Sequence, residues 1–527
     1  MNKKYISKLT KKMFLLSGFL IAMSVTTTAQ NKQETIPVRK EVGALNMPTE
    51  IAPIEAPFHM PQLTRPQFPC DTLSITEIGA HTSKTATRAI QKAINQTSRN
   101  GGGTVVIPAG IWHTGRIELK SNVNLHLEEG AELHFSGYIK DYQPAVFTRN
   151  EGVELYSLGA LIYANGQHNI ALTGKGELVG PAQNCEIQQR QMRGGVIETY
   201  INVNTPVKER IYNGEKGKAI FLPMFVSPIK CQNVLIEGIT LESTPFWNIT
   251  PVYCDSVIIR GITVHSVGIP RGDGIDIESS RNVLIEYSTL SCGDDCFTMK
   301  AGRCEDGIRV DRPSENIVVR HCLAEKGHGG ITCGSETAGM IRNLYVHDCV
   351  FDGTGTGLRF KTRRNRGGGG ENLVYERIRM RLNGQPFIWD MLGSVTFVGN
   401  LAKRLPAREI NKLTPSYKNI TVRDIIVESG TQFIKAQGIP ETPVENVLIE
   451  NVSAKTNQLM LFQDVNGMTL KNITIECPDS LIKLVDGRNI KFEQVHFITP
   501  NGVTKIEKEG KLTKDPEFYK CLKRKLE

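Results

Sequence analysis

Of the four aspartates in the stretch from Arg271 to Lys300, RGDGIDIESSRNVLIEYSTLSCGDDCFTMK, three look placed for chemistry. They are Asp273 in GDGID, and Asp294 with Asp295 in GDD. A strand-like run, Arg281 to Glu286, separates them. His328 follows in GHGG, then Arg359 and Lys361 in GLRFKT. Carboxylates gathered on one surface repel each other, so a cluster needs a reason. General acid–base hydrolysis of a glycoside is such a reason. One carboxyl protonates the leaving oxygen and others hold and activate a water. An arginine and a lysine two apart on a strand point the same way.

Each motif also has a plainer reading. GDD makes turns in which aspartates cap backbone amides, and a histidine between glycines is a turn residue. Arg359 and Lys361 also describe a solvated strand face. Lys300, closing the strand after GDD, is either a further anion ligand or solvated. Trp247 and Trp389 are either sugar platforms or packing.

Residues so far apart in sequence meet only if a repeating unit stacks them. The chain repeats an Asn-apolar-x-apolar pattern at Asn122, Asn169, Asn233, Asn282, Asn316, Asn343, Asn372, Asn419, Asn446 and Asn489, with Ser256 in the same role. The commonest spacings are roughly 21 to 34 residues. Each repeat carries short β-branched strands between Gly, Asn and Asp turns. The pattern predicts an all-β chain, a right-handed parallel β-helix with three or four strands per coil. A β-propeller would need longer repeats with regular blade motifs.

Thr85 to Ser98 carries Ala89, Ile90, Ala93 and Ile94 at helical spacing, and Gly101–Gly103 follow it. One helix ahead of many strands predicts a short N-terminal cap on the open end of the solenoid. The β-helix is expected over residues 71–510. Residues 30–70 form a proline-rich linker or extended segment, and 511–527 a basic C-terminal tail. Insertions at about 184–220 and 376–417, the second carrying Trp389, Lys403, Arg404 and Arg408, should wall a groove on one face.

The first 29 residues read as a signal peptide: five lysines, an apolar run from Met13 to Val25, and a small-x-small site at Thr27 and Ala29. A short membrane anchor is the alternative. The run is too short for a stable membrane span, so export to the periplasm or exterior is expected. The net charge is +9, five units of it in that leader, so global charge argues little for an acidic partner. No nucleic-acid motif stands out. The twelve cysteines show no metal spacing, and no metal or cofactor is implied. Cys322 and Cys349 hold equivalent repeat positions, where they either bond or lie buried as thiols. Oligomeric state is not legible.

The motifs resemble those of polygalacturonases, the pectin-degrading glycoside hydrolase family 28. That family carries NTDG-x-D, [QG]DD, GHG and RIK in this order on a right-handed β-helix. Here GDGID at 272–276, GDDC at 293–296, GHGG at 327–330 and RFK at 359–361 stand in their places. The opening TATRAIQKAINQTSRNGGGTVVIPAG is also similar to the family's first repeat. The resemblance implies that Asp294 is the general acid and that Asp273 and Asp295 hold and deprotonate the attacking water. It places His328 beside the acid, and gives the carboxylate of a galacturonate unit to Arg359 and Lys361, with Lys300 as a further candidate. It implies inversion at the anomeric carbon, with acid and base on the order of 6.5–9.5 Å apart.

Arg271-Gly272 replaces the family's Asn-Thr, and Phe360 its isoleucine. GSE at 334–336 and TRRNRGGGG after Lys361 look more like exo-acting bacterial members than endo-acting fungal ones. The expected activity is exo-hydrolysis of α-1,4-galacturonosyl linkages in pectin, an acidic polysaccharide, releasing galacturonate. Alternatives are a hydrolase of branched pectin (rhamnogalacturonan or xylogalacturonan), a calcium-dependent pectate lyase, and a non-catalytic glycan-binding β-helix.

Overall fold

The computed structural model describes residues 35–192 and 196–526. The leader expected at 1–29 lies outside the described residues. The strands stack in parallel into a long sheet of 23 strands and a second sheet of nine, running from Ile275–Glu278 to Lys505–Glu509. A three-stranded sheet, Ile117–Glu118, Ala160–Asn165 and Met224–Ile229, lies earlier in the chain. One antiparallel hairpin, Val146–Asn150 with Val153–Ser157, interrupts the pattern. Parallel crossovers within a sheet wind right-handed, and the architecture is the right-handed parallel β-helix.

Alternation of apolar and polar residues turns one face of each strand inward, as in Val123–Leu127. The coils then align like residues. Val105 sits beside Leu125, Leu125 beside Leu172, Leu172 beside Ile236, and Ile236 beside Ile259. The row continues through Ile285 and Val319. Each such side chain is fully buried or nearly so, which is worth about 1.5–3 kcal/mol apiece.

The repeated asparagines are the corners. Asn122, Asn169, Asn233, Asn282, Asn316 and Asn343 all have φ between 49° and 63°, a left-handed conformation that Asn tolerates better than most residues. Their side chains also bond from coil to coil: Asn169 to Asn122 at 3.2 Å, Asn233 to Asn169 at 2.7 Å, Asn343 to Asn316 at 3.0 Å. Ser256 takes the same backbone conformation (φ 61°) but breaks the ladder. There Asp255 substitutes, accepting from Asn282 at 2.8 Å.

The cap is the helix Thr87–Arg99, which buries Ile90, Ala93, Ile94 and Thr97. Residues 36–70 run over the outside of the long sheet, with short 3-10 turns at Arg39–Glu41 and Ala44–Asn46. Ile54, Met60 and Leu63 cover an outward row of Ala171, Leu235, Ile258, Leu284 and Val318. Buried Arg260 and Arg320 flank Glu286 at 2.7 and 2.8 Å and donate to the carbonyls of Pro48 and Ala52.

Two boundaries move. Gly369–Arg381 and Phe387–Asp390 are ordinary rungs, so the second insertion begins after Asp390 and ends before the strand Ser416–Ser429. Trp389 is therefore no sugar platform. It is fully buried and stacked on Phe360 at 4.7 Å. At the other end, Glu517–Tyr519 and Leu522–Lys525 pair with Arg488–Thr499, so the coil continues through the basic segment. Cys322 and Cys349 are buried thiols on adjacent coils.

Candidate active site

The register of the nine-stranded sheet assembles the motifs. Ile275 pairs with Phe297, Phe297 with Ile331, and Ile331 with Leu358. Two residues earlier on each coil stand Asp273, Asp295, Gly329 and Thr356, so Asp273 and Asp295 are stacked neighbours. One residue before these, Asp294 lies beside His328. The His328 backbone N–H donates to the Asp294 carbonyl at 2.8 Å, and its ring Nδ1 lies 2.9 Å from Asp294 Oδ1. Arg359 Nη1 and Lys361 Nζ reach Asp295 at 3.1 and 2.6 Å.

Environment separates the three carboxylates. The side chains of Asp273, Asp294 and Asp295 are 5%, 25% and 0% exposed, so Asp294 is the one that meets solvent. Burial works against a charge on Asp295, but Lys361 and Arg359 outweigh it and hold that carboxyl below the usual range. At Asp273, burial comes first, then repulsion from Asp276 and Asp294, and its carboxyl is pushed well above the ordinary value. The hydrogen bond to Asp294 raises the His328 imidazole above its ordinary value, against partial burial.

One oxygen from each of the three aspartates lies within 4.8 Å of the others. This is closer than the wide separation the resemblance implied. The geometry still admits a water: two O–H···O bonds of about 2.8 Å at a tetrahedral angle place their acceptors about 4.6 Å apart. The positive charge that such a cluster calls for is present in Lys300, Arg359 and Lys361.

Lys300 is almost fully buried, its Nζ 3.6 Å from Asp273, 3.5 Å from Asp276 and 3.6 Å from Glu336. It lies 4.5 Å over the Trp247 ring. Burial opposes its charge, but Glu336, Asp276 and Asp273 raise it well above the ordinary lysine range. Its charge is already shared among protein carboxylates. Glu336, from the GSE triplet, is held below its usual range by Lys300, Arg366 and Arg303 despite burial.

These residues floor a cavity of about 600 Å³. The first insertion supplies Gln191, Met192, Ile197 and Tyr200 to its wall, and the second supplies Phe397. Arg271 ties that wall to the coil, bonding Glu151 at 3.1 Å and Gln191 at 3.0 Å. Arg303 does the same with Glu198, bidentately at 2.9 and 3.0 Å. Among the described lining residues, seven are Arg or Lys and four are Asp or Glu, which favours an anionic ligand. Sequence reasoning missed Glu336, Arg303 and Arg366 as members of this site. The GSE and TRRNR segments were the available signal for Glu336 and Arg366; for Arg303 there was none.

The family model for glycosyl hydrolases family 28 matches residues 105–392. The crystal structure of a hyperthermoactive exopolygalacturonase from Thermotoga maritima is similar at 30% identity, covering 78% of this chain and 93% of that one, with a TM-score of 0.69. An exo-poly-alpha-D-galacturonosidase of Dickeya chrysanthemi is 25% identical over 67% of this chain and 62% of its own length. An endo-polygalacturonase of Pectobacterium carotovorum subsp. carotovorum is 25% identical over 75% of this chain and 88% of its own. The matched family span holds every residue that the register brings to Asp294, and the chain belongs to the glycosyl hydrolases of family 28, as a glycoside hydrolase.

Proposed function

We propose that the protein is an exported, exo-acting polygalacturonase that hydrolyses α-1,4-galacturonosyl linkages of pectin with inversion and releases galacturonate. The observation that carries this reading is the position of Asp294. It is the solvent-facing carboxyl of a cluster whose other members lie within reach of one water, in a cavity with excess positive charge. Similarity to polygalacturonases of both exo and endo type supports the substrate class.

Burial and mutual repulsion disfavour three charges here, so the cluster retains a proton, while Asp295 stays ionised between Lys361 and Arg359. Asp294 delivers a proton to the glycosidic oxygen, since it faces the cavity. Asp273 and Asp295, stacked on adjacent coils, hold the water, and Asp295, which stays ionised, takes its proton. His328 keeps Asp294 oriented. Arg359 and Lys361 add a sugar carboxylate to the one they already hold. Lys300 offsets the charge on the floor. The exo mode rests on the two insertions, which wall the cavity beyond the coil face. No helix among the described residues is long and apolar enough to cross a membrane, and the leader expected at 1–29 supports export.

Digestion of de-esterified oligogalacturonides by the wild type and by Asp294→Asn tests this, with products resolved by mass and the nascent anomer by NMR. Saturated monogalacturonate of inverted configuration, absent in the variant, is expected. Mixed saturated oligomers would move the reading to endo action. Unsaturated products would replace hydrolysis by elimination.

A further inference from the structure

Lys300 belongs to no single carboxylate. Asp273, Asp276 and Glu336 stand at 3.6, 3.5 and 3.6 Å from its Nζ. Each distance is longer than an ordinary charged hydrogen bond, and the ammonium stays central among the three. An aromatic face meets it as well: Nζ lies 4.5 Å over the Trp247 ring. Trp247 is 3% exposed, too deep to serve as a platform for a sugar. Phe246 takes the other face of that ring, with centroids 4.9 Å apart and planes 21° from parallel. Phe246 in turn carries a second cation, the Arg271 guanidinium, at 5.2 Å. Four side chains thus form one column, cation–ring–ring–cation, and all four line the cavity.

The two ends of the column hold different parts of the cavity. Arg271 grips the wall, through Gln191 of the first insertion at 3.0 Å and Glu151 at 3.1 Å. Lys300 sits in the floor beside Asp273. A ring attracts a desolvated cation through its quadrupole, without accepting a directed hydrogen bond from it. It therefore holds an ammonium in place while leaving its protons shared among the acids. We propose that Trp247 is a positioning residue for the hydrolysis: backed by Phe246 and Arg271, its ring keeps Lys300 central between Asp273, Asp276 and Glu336. The kinetic part of this rests on the galacturonan reading above. Without the ring, Lys300 closes on Asp276 or Glu336, and Asp273 loses a counter-charge. Burial is the first influence on the carboxyls of Asp273 and Asp295, and Lys300 opposes it at both. Both acids take up protons more readily once the ammonium withdraws.

Kinetics on oligogalacturonides across pH, with crystal structures of the variants, test the column. Trp247→Leu should lower kcat about 10- to 100-fold and change KM less than about 3-fold. The acidic limb of its pH–rate profile should move upward by about half a unit or more, because the base is protonated at higher pH. Trp247→Phe keeps an aromatic face and should stay within about 5-fold of the wild type, with the limb in place. Arg271→Asn suits the φ of 57° at that position. It should lower kcat about 3- to 10-fold and move the limb the same way. Adding it to Trp247→Leu should cost little more, since both break one unit. In the Trp247→Leu structure, Lys300 Nζ should lie on Asp276 or Glu336, away from Asp273. An unmoved limb overturns the proposal, as does a Phe variant as impaired as the Leu variant, or losses that multiply in the double variant. Should Trp247→Leu not fold, the limb of Arg271→Asn decides. If the wild type leaves oligogalacturonides uncut, the galacturonan reading falls. The position of Lys300 in the Trp247→Leu structure then decides alone: displaced, it supports the column, and unmoved, it overturns it.

Discussion

Asp295 and Arg359 belong to coils two apart, yet Arg359 Nη1 lies 3.1 Å from Asp295 Oδ1. The residue stacked between their strands is Gly329 of GHGG, and it leaves the path open. A Cβ on Gly329 would sit 2.9 Å from Asp295 Oδ1 and 2.4 Å from Thr332 Oγ1. The glycine is present for the space beside a carboxylate.

Gly329→Ala should therefore displace the Asp295 carboxylate from Arg359 and Lys361. We expect kcat to fall by about 100-fold or more, with a stability loss of about 1–3 kcal/mol from overpacking. Kinetics on oligogalacturonides and urea unfolding check both. Activity close to wild type would show that the Asp295 contacts are dispensable.

Asp273→Asn should remove activity and at the same time raise the unfolding midpoint at neutral pH. The sign follows from its raised folded-state value. A buried carboxyl with a raised value favours folding while protonated and disfavours it once pH climbs past the unfolded value. The amide stays neutral, so its advantage should grow from about pH 4 upward and vanish below. Thermal melts of both proteins from pH 3.5 to 8 measure this. A variant less stable at every pH would contradict it.

His328→Ala should lower kcat by about 10- to 100-fold and remove the alkaline limb of the pH–rate profile. His328 is raised above its ordinary value by Asp294 and keeps its charge below that raised value. The imidazolium contact with Asp294 is present at lower pH and lost as pH rises through it. An unchanged alkaline limb in the variant would assign that limb to another group.

Phe397 lines the cavity mouth with a ring 53% exposed. Packing against sugar faces suits such a ring. Phe397→Ala should raise KM about 3- to 10-fold with little change in kcat, and should leave the melting midpoint in place because little is buried there. Equal KM values for the two proteins would make the residue a bystander.

A solenoid writes its architecture locally, which is why so much of this fold is legible in the chain. Each coil must turn its own corner in the left-handed region and bond the coil below. Asn does both, so the spacing of Asn122, Asn169, Asn233 and Asn282 displays the repeat directly. The four motifs are legible for the same reason, one coil each and in order. Position within a coil determines position on the face.

Local sequence thus suffices for the β-helix, its cap and the strip bearing Asp273, Asp294, Asp295, His328, Arg359 and Lys361. How those side chains share charge was settled by packing between coils. Lys300 turned inward to three carboxylates, and Trp389 went to the core beside Phe360. The first insertion joined the floor through Arg271 with Gln191 and through Arg303 with Glu198. Coil spacing is a backbone property set by hydrogen bonds between adjacent strands. The reach of a side chain across coils, and the path of an insertion over them, depend on which atoms happen to leave room. That information exists only once the coils are stacked.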